Sequence, residues 1–233
     1  TPSAPNRLKR VKLIAAYDGT NYHGWQVQPN GETIEGVLNR TLSSLLGEKI
    51  IVTGASRTDA GVHSMGNVAV FDTKSRIPAE KISYALNQRL PEDIVVQKSE
   101  EVPVDFHPRH CDSRKTYEYR ILNREFPLPM YRNNTYFCYR KLDLEKMQQA
   151  AEYLRGEHDF KSFCSNKRMK KSTVRRMDQI GIHTDGTKVV FTYTGNGFLY
   201  NMVRILTGTL LEVGLGKRRP EEMTAVLEAR NRE

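Results

Sequence analysis

Residues 11–17 alternate loosely between apolar and polar and run into Asp18-Gly19-Thr20-Asn21, the pattern of a strand entering a turn. The period then changes. Ile34, Val37, Leu38, Leu42, Leu45 and Leu46 keep helical spacing, with Thr33 placed to cap the start and Gly47 to end the run. Two strand-like segments, 50–53 and 67–71, follow with a polar, glycine-bounded loop between them. A helix opening at Pro78-Ala79-Glu80 and an apolar segment at 94–96 complete a first half.

The second half repeats the plan in weaker form. It predicts a strand over 116–122, a helix over 143–155, strands over 174–183 and 188–193, and an apolar helix over 202–211. Leu144, Met147, Ala151 and Leu154 mark the buried face of the first of these helices, so its methionine belongs to the core. The repetition predicts an α+β fold of two pseudo-repeated, ferredoxin-like halves, residues 1–103 and 104–233. They would form one continuous, mainly antiparallel sheet with helices on one face and a central ligand-binding cleft.

At 233 residues the chain has room for a core without disulfide or metal staples. Cys111, Cys138 and Cys164 are odd in number and widely spaced, which suits reduced thiols in a cytoplasmic protein. His107, His110 and Cys111 lie close together around a proline but make no four-ligand set, so no metal is assigned. No apolar stretch reaches bilayer-spanning length, and the polar start carries no hydrophobic signal segment. The 36 Lys and Arg against 27 Asp and Glu give a net charge of +9, which favours a polyanionic partner.

Two residues stand out against this background. Asp59 is the sole carboxylate between Glu48 and Asp72, at the end of a predicted strand and beside Arg57, with small residues that let a ligand approach the backbone. Taken alone it reads more readily as a turn aspartate. Arg204 is the one charge in Met-Val-Arg-Ile-Leu-Thr-Gly-Thr-Leu-Leu. Buried, it would need a carboxylate, and Asp59 is the obvious one; at the helix edge it would reach solvent along its stem.

With Asp59 in Arg-Thr-Asp-Ala-Gly-Val-His, Tyr117 in Arg-Lys-Thr-Tyr-Glu-Tyr-Arg and Arg204 in Asn-Met-Val-Arg, the chain resembles the bacterial tRNA pseudouridine synthase A family. Further motifs carry the likeness over nearly the whole length: Tyr22-His23-Gly24-Trp25-Gln26, Phe106-His107-Pro108-Arg109, Gly156-Glu157-His158-Asp159-Phe160 and Gly195-Asn196-Gly197-Phe198. The resemblance implies conversion of uridine to pseudouridine in the anticodon stem-loop of tRNA, at one or more of the thirty-eighth to fortieth nucleotides, with no cofactor. It implies that Asp59 is the catalytic aspartate, whether as nucleophile or as a group assisting elimination. Arg204 is then its basic partner, and Tyr117 the active-site tyrosine that stacks on the uracil near the proton leaving C5. Arg57 fills the space left by the extruded nucleotide, or else contacts phosphate.

Two basic stretches fit an RNA grip: Arg7, Lys9 and Arg10 with Lys12, and Lys167, Arg168, Lys170 and Lys171 with Arg175 and Arg176. A homodimer binding tRNA across both subunits is the family expectation. The family usually continues into a Pro-rich segment and a final Gly-Leu-x-Leu strand, which this sequence lacks. A non-catalytic tRNA-binding protein on the same scaffold is the alternative reading; the set Asp59, Tyr117 and Arg204 weighs against it.

Overall fold

The computed structural model describes residues 7–109 and 114–231. His110 and Cys111, weighed above for metal binding, lie outside the described residues. The chain divides into two compact units, Thr1–Cys111 and Asp112–Glu233.

The first unit runs β1 (Lys9–Tyr17), α1 (Ile34–Leu46), β2 (Thr53–Gly54), β3 (Ser64–Thr73), α2 (Ala79–Asn87) and β4 (Ile94–Val102). Its strands lie in the order β2-β3-β1-β4 with every neighbour antiparallel, so this unit has the β-α-β-β-α-β sequence of a ferredoxin-like motif. The pleat sends Val11, Leu13, Ala15 and Tyr17 of β1 to one side, where they meet Ile34, Leu38 and Leu42 of α1 and Ile82 and Leu86 of α2. Each such fully buried aliphatic side chain contributes about 1.5–3 kcal/mol. Thr33 caps α1 through Oγ1, accepting from the Gly36 N–H at 3.1 Å, and Gly47 closes it at φ +66°.

The second unit runs β5 (Lys115–Asn123), β6 (Tyr136–Cys138), α3 (Leu144–Glu152), β7 (Gly156–Asp159), β8 (Val174–Asp185), β9 (Lys188–Gly195), α4 (Met202–Gly214) and α5 (Glu222–Ala229). Strand order is β6-β5-β9-β8-β7, antiparallel except for the short parallel pair β5–β6. Gly186, at φ +61°, supplies the left-handed residue that the two-residue β8–β9 turn requires. Met147, Ala150 and Ala151 of α3 share a core with Leu206, Leu210 and Val213 of α4 and with Ile121, Ile180 and Phe191 of the sheet.

The fold is therefore α+β and mainly antiparallel, with five α-helices among the described residues. Among the described residues the ladders fall into two sheets, one within each unit. The second unit also adds β6 beside β5, and no strand follows α4 among its described residues.

Candidate active site

Asp59 sits in the loop between β2 and β3, and the surrounding residues fasten that loop at successive points. Ala55 N–H donates to Val68 O at 2.7 Å. The side chain of Asn67 on β3 then clamps Ser56 from both sides, accepting its N–H at 3.2 Å and donating to its carbonyl at 2.9 Å. Thr58 is buried, its hydroxyl 2.7 Å from Tyr17 OH, and its carbonyl accepts from Trp25 N–H at 3.0 Å. Burial raises the Tyr17 phenol, which keeps this contact a neutral hydrogen bond. Past the acid, Val62 N–H donates back to Asp59 O at 3.1 Å, and Gly61 turns the chain at φ +78°.

Glycines make this fit possible. Gly24 has φ +84°, and a Cβ there would stand 2.6 Å from Thr58 O and 3.1 Å from Asp59 C. At Gly54 a Cβ would enter the indole of Trp25. The segment Tyr22–Gln26 thus serves as the cradle of the acid, a role its sequence does not announce; the paired signal was a glycine next to the chain's one tryptophan. Asp59 itself is half-buried, whereas Arg57 two residues earlier is exposed.

The amino-terminal cations are distributed unevenly. Arg7 is exposed and paired with Glu101 at 2.6 Å, and Arg10 forms a fork on Asp72 at 2.8 and 3.0 Å while reaching Phe106 O at 2.6 Å. Lys9 is 3% exposed, with its ammonium on the carbonyl of Ile77 at 2.6 Å. It faces the same side of β1 as Val11 and Leu13. A buried lysine held this way is an internal tie, so a phosphate contact by Lys9 does not fit this structure.

In the second unit, Tyr117 projects from β5 on the core side, in register with Tyr193 on β9. Its ring meets Phe198 edge-on, centroids 4.7 Å apart, which fixes the plane of the tyrosine. Phe198 comes from the Gly195–Phe198 segment, where a Cβ on Gly195 would strike Arg176 O at 2.6 Å. Two residues along β5, Tyr119 has its hydroxyl raised by burial and partly restored by the charge of Arg204, and Tyr136 acts on it too. Tyr119 is thus an additional neighbour of Arg204.

Arg204 itself is exposed. The buried stripe of α4 is Met202, Leu206, Thr207, Leu210, Val213 and Gly214, and position 204 falls off it. A buried guanidinium would demand an acid; this one is not buried, so burial gives no reason to pair it with Asp59. Lys167, Arg168, Lys170 and Lys171 are all exposed on the loop before β8, and Arg176 beside them is exposed as well. Arg175 is half-buried and bonds the carbonyls of Ser172 and Val174 at 2.7 and 2.8 Å, and burial lowers its pKa.

Residues 13–110 and 150–233 match the tRNA pseudouridine synthase family. The chain belongs to it. It is 48% identical over 225 residues to a tRNA pseudouridine synthase A of Acetivibrio thermocellus, covering 97% of this chain and 92% of that protein. Identity is 44% over 225 residues to the enzyme of the same name from Thermoanaerobacter sp. strain X514, with the same coverage. To that of Halalkalibacterium halodurans it is 45% over 227 residues, 97% of this chain and 86% of that one. The tRNA pseudouridine synthase family is an isomerase family, and its matched span includes the Asp59 loop and α4. A carboxylate on a well-fastened loop, a tyrosine of fixed plane and an exposed basic loop are the chemical assets of this chain.

Proposed function

We propose that the chain isomerises uridine to pseudouridine in the anticodon stem-loop of tRNA, at one or more of the thirty-eighth to fortieth nucleotides, as a cytoplasmic homodimer of two pseudo-repeated halves. The reaction breaks the bond between ribose C1′ and base N1 and rejoins the turned uracil through C5, whose proton then leaves. Atoms balance without any added group, and the reading invokes no cofactor.

The observation that carries the reading is the fastening of the Asp59 loop. A catalytic carboxylate must be held at a fixed place relative to C1′ or C6, since small misplacements of a reacting group cost orders of magnitude. Asp59 supplies the charge or the attacking oxygen. Tyr117, its plane set by Phe198, stacks on the uracil and holds its hydroxyl toward C5. Arg57, exposed two residues from the acid, fills the stack after the uridine is flipped out, offsetting a few kcal/mol of unstacking. Arg204 provides the positive field for the carboxylate. The exposed run Lys167, Arg168, Lys170 and Lys171 and the outward Arg7 and Arg10 take phosphates.

The test is Asp59→Asn. The amide keeps the size of the side chain, and affinity comes mainly from phosphates, so tRNA binding persists while single-turnover pseudouridine formation falls by several orders of magnitude. Near-normal conversion by the variant would remove Asp59 from the reaction; tight tRNA binding without any conversion by the wild-type chain would leave a tRNA-binding protein on the same scaffold.

A further inference from the structure

In the second unit the exposed basic loop before β8 is held against the start of α4. Met169, in the middle of Lys167-Arg168-Met169-Lys170-Lys171, packs on the core, so the four exposed cations flank an anchored residue. The near end of the loop is stitched to residues 200–201. Ser165 N–H donates to Tyr200 O at 3.1 Å, and Asn201 Nδ2 donates to Ser165 Oγ at 3.0 Å. Asn166 tightens the loop from within, its Oδ1 accepting from the Arg168 N–H at 3.1 Å. The far end approaches the same segment, since a Cβ on Gly197 would stand 3.3 Å from Arg175 Nε.

Tyr200 is carried on this stitch. Leu199 before it and Met202 after it are buried, whereas Tyr200 is 58% exposed. Asn201 makes the turn between them at φ +57°, a left-handed conformation that asparagine tolerates better than most residues. The backbone of Tyr200 is thus pinned while its ring lies at the surface. A tyrosine ring has only two χ angles to immobilise, so a flat partner can cover it at small entropic cost. A single exposed tyrosine is ordinary; one bonded through its backbone to a loop of four cations combines the two features that hold unpaired nucleic acid, a charged track and an aromatic face. Phe198, which sets the plane of Tyr117, stands two residues away, at most about 7 Å of chain.

We propose that Tyr200 is a stacking platform for one unpaired base of the bound RNA, in a nucleotide flanking the one that is isomerised, while the loop 167–171 takes phosphates of the same strand. The inference rests on the RNA-modifying role proposed above and adds to it a base contact that phosphate binding does not supply. Every base has a π-face, so the contact favours unpaired over paired RNA without selecting a sequence. In a continuous duplex those faces are covered by neighbouring pairs, and Tyr200 has nothing to stack on.

The experiment measures the affinity of the full chain, over a range of salt, for an anticodon stem-loop RNA and for a fully paired RNA duplex with the same number of phosphates. Tyr200→Ala weakens stem-loop binding about 5–150-fold, the range for loss of one base stack, and leaves duplex binding unchanged. The salt slope for the stem-loop stays that of the wild type, because no phosphate contact is lost. Tyr200→Phe keeps the ring and binds as the wild type does, whereas Tyr200→Leu keeps apolar bulk without a π-face and binds as weakly as Tyr200→Ala. Phe and Leu both fill the space, so this pair decides even where alanine disturbs the fold. A Phe variant as weak as Ala, a Leu variant as tight as wild type, equal losses on both RNAs, or a reduced salt slope overturns the stacking role. A second measurement places 2-aminopurine at each loop nucleotide in turn, since its fluorescence falls on stacking. Wild type and Tyr200→Phe quench it at a position flanking the target uridine and Tyr200→Leu does not; quenching that ignores residue 200 at every position refutes the platform. Failure of the wild-type chain to bind either RNA would instead sink the proposed function, a result distinct from all of these.

Discussion

Gly24→Ala tests whether the cradle positions the acid. At φ +84° an alanine is strained, a cost of about 1–2 kcal/mol. Its methyl would also stand 2.6 Å from Thr58 O, where ordinary contact begins at 3.4 Å, so one backbone must yield by about 0.8 Å. Thr58 is the residue before Asp59, and its hydroxyl and carbonyl are both engaged, so the displacement passes to the acid. Strain and weakened hydrogen-bond geometry together destabilise by about 2–3 kcal/mol, a fall of roughly 4–12 °C in Tm for a chain of this size. A shift approaching 1 Å in a reacting group costs about 10²-fold in single-turnover rate. The control is Gly47→Ala: φ there is +66°, but nothing lies within 4 Å of the added Cβ, so stability falls by about 1 kcal/mol and the rate stays unchanged. Thermal unfolding and single-turnover pseudouridine formation on a tRNA transcript measure both quantities. If Gly24→Ala turned over at the wild-type rate while losing stability no more than Gly47→Ala does, steric contact at residue 24 would not be what places the acid.

Replacing Lys167, Arg168, Lys170 and Lys171 together with alanine flattens the salt dependence of tRNA binding by about 0.7–0.9 for each phosphate no longer neutralised and leaves the unfolding transition in place; an unchanged slope would exclude the loop from the RNA interface. Burial raises the pKa of Glu35, in the first turn of α1, despite the positive charges of Arg57 and Arg109, so the folded chain holds a proton there over a range, upward from about 4.5, where the unfolded chain has released it. Its contribution to stability falls as pH rises through that range. Glu35→Gln therefore gains stability relative to wild type on going from pH ~4 to pH ~7, measured by urea unfolding at the two values; a difference that shrinks would reverse the assigned shift.

Much of this molecule was legible in the pattern of its residues. The helix capped by Thr33 and stopped by Gly47 is α1 to the residue, and Asp143 caps α3 through Oδ1 at 3.1 Å from the Lys146 N–H. The segment 50–53 was less so. Its apolar residues predicted a strand, yet only Thr53–Gly54 pairs, because α1 claims the rest: Ser43 Oγ accepts the Ile50 N–H and Asn39 Oδ1 the Val52 N–H. Hydrogen bonds that a ladder would make are made by helix side chains, which period-two patterning cannot register. The burial of Lys9 was readable from its parity with Val11 and Leu13, but composition pointed the other way. For Arg204, apolar neighbours suggested burial, while the angular position of residue 204 around α4 decides exposure. Tyr117 and Asp59 stood out in sequence through their motifs; Glu35 did not, because its tie to Trp25 depends on tertiary contact.

The fastenings of the Asp59 loop also bear on when it can take shape. Every hydrogen bond described for residues 55–62 comes from residues 17–68: Tyr17 on β1, Trp25, and Asn67 and Val68 on β3. During synthesis, which proceeds at about 5–20 residues per second, these partners leave the ribosome before β4 and before anything in the second unit. Pairing of β1 with β3, which joins Lys9 to Thr73 at its far end, is the long-range step that closes the loop. These fastenings of the acid's loop can thus form from strands of the first unit alone, before the strand that carries the tyrosine pairs with its neighbour.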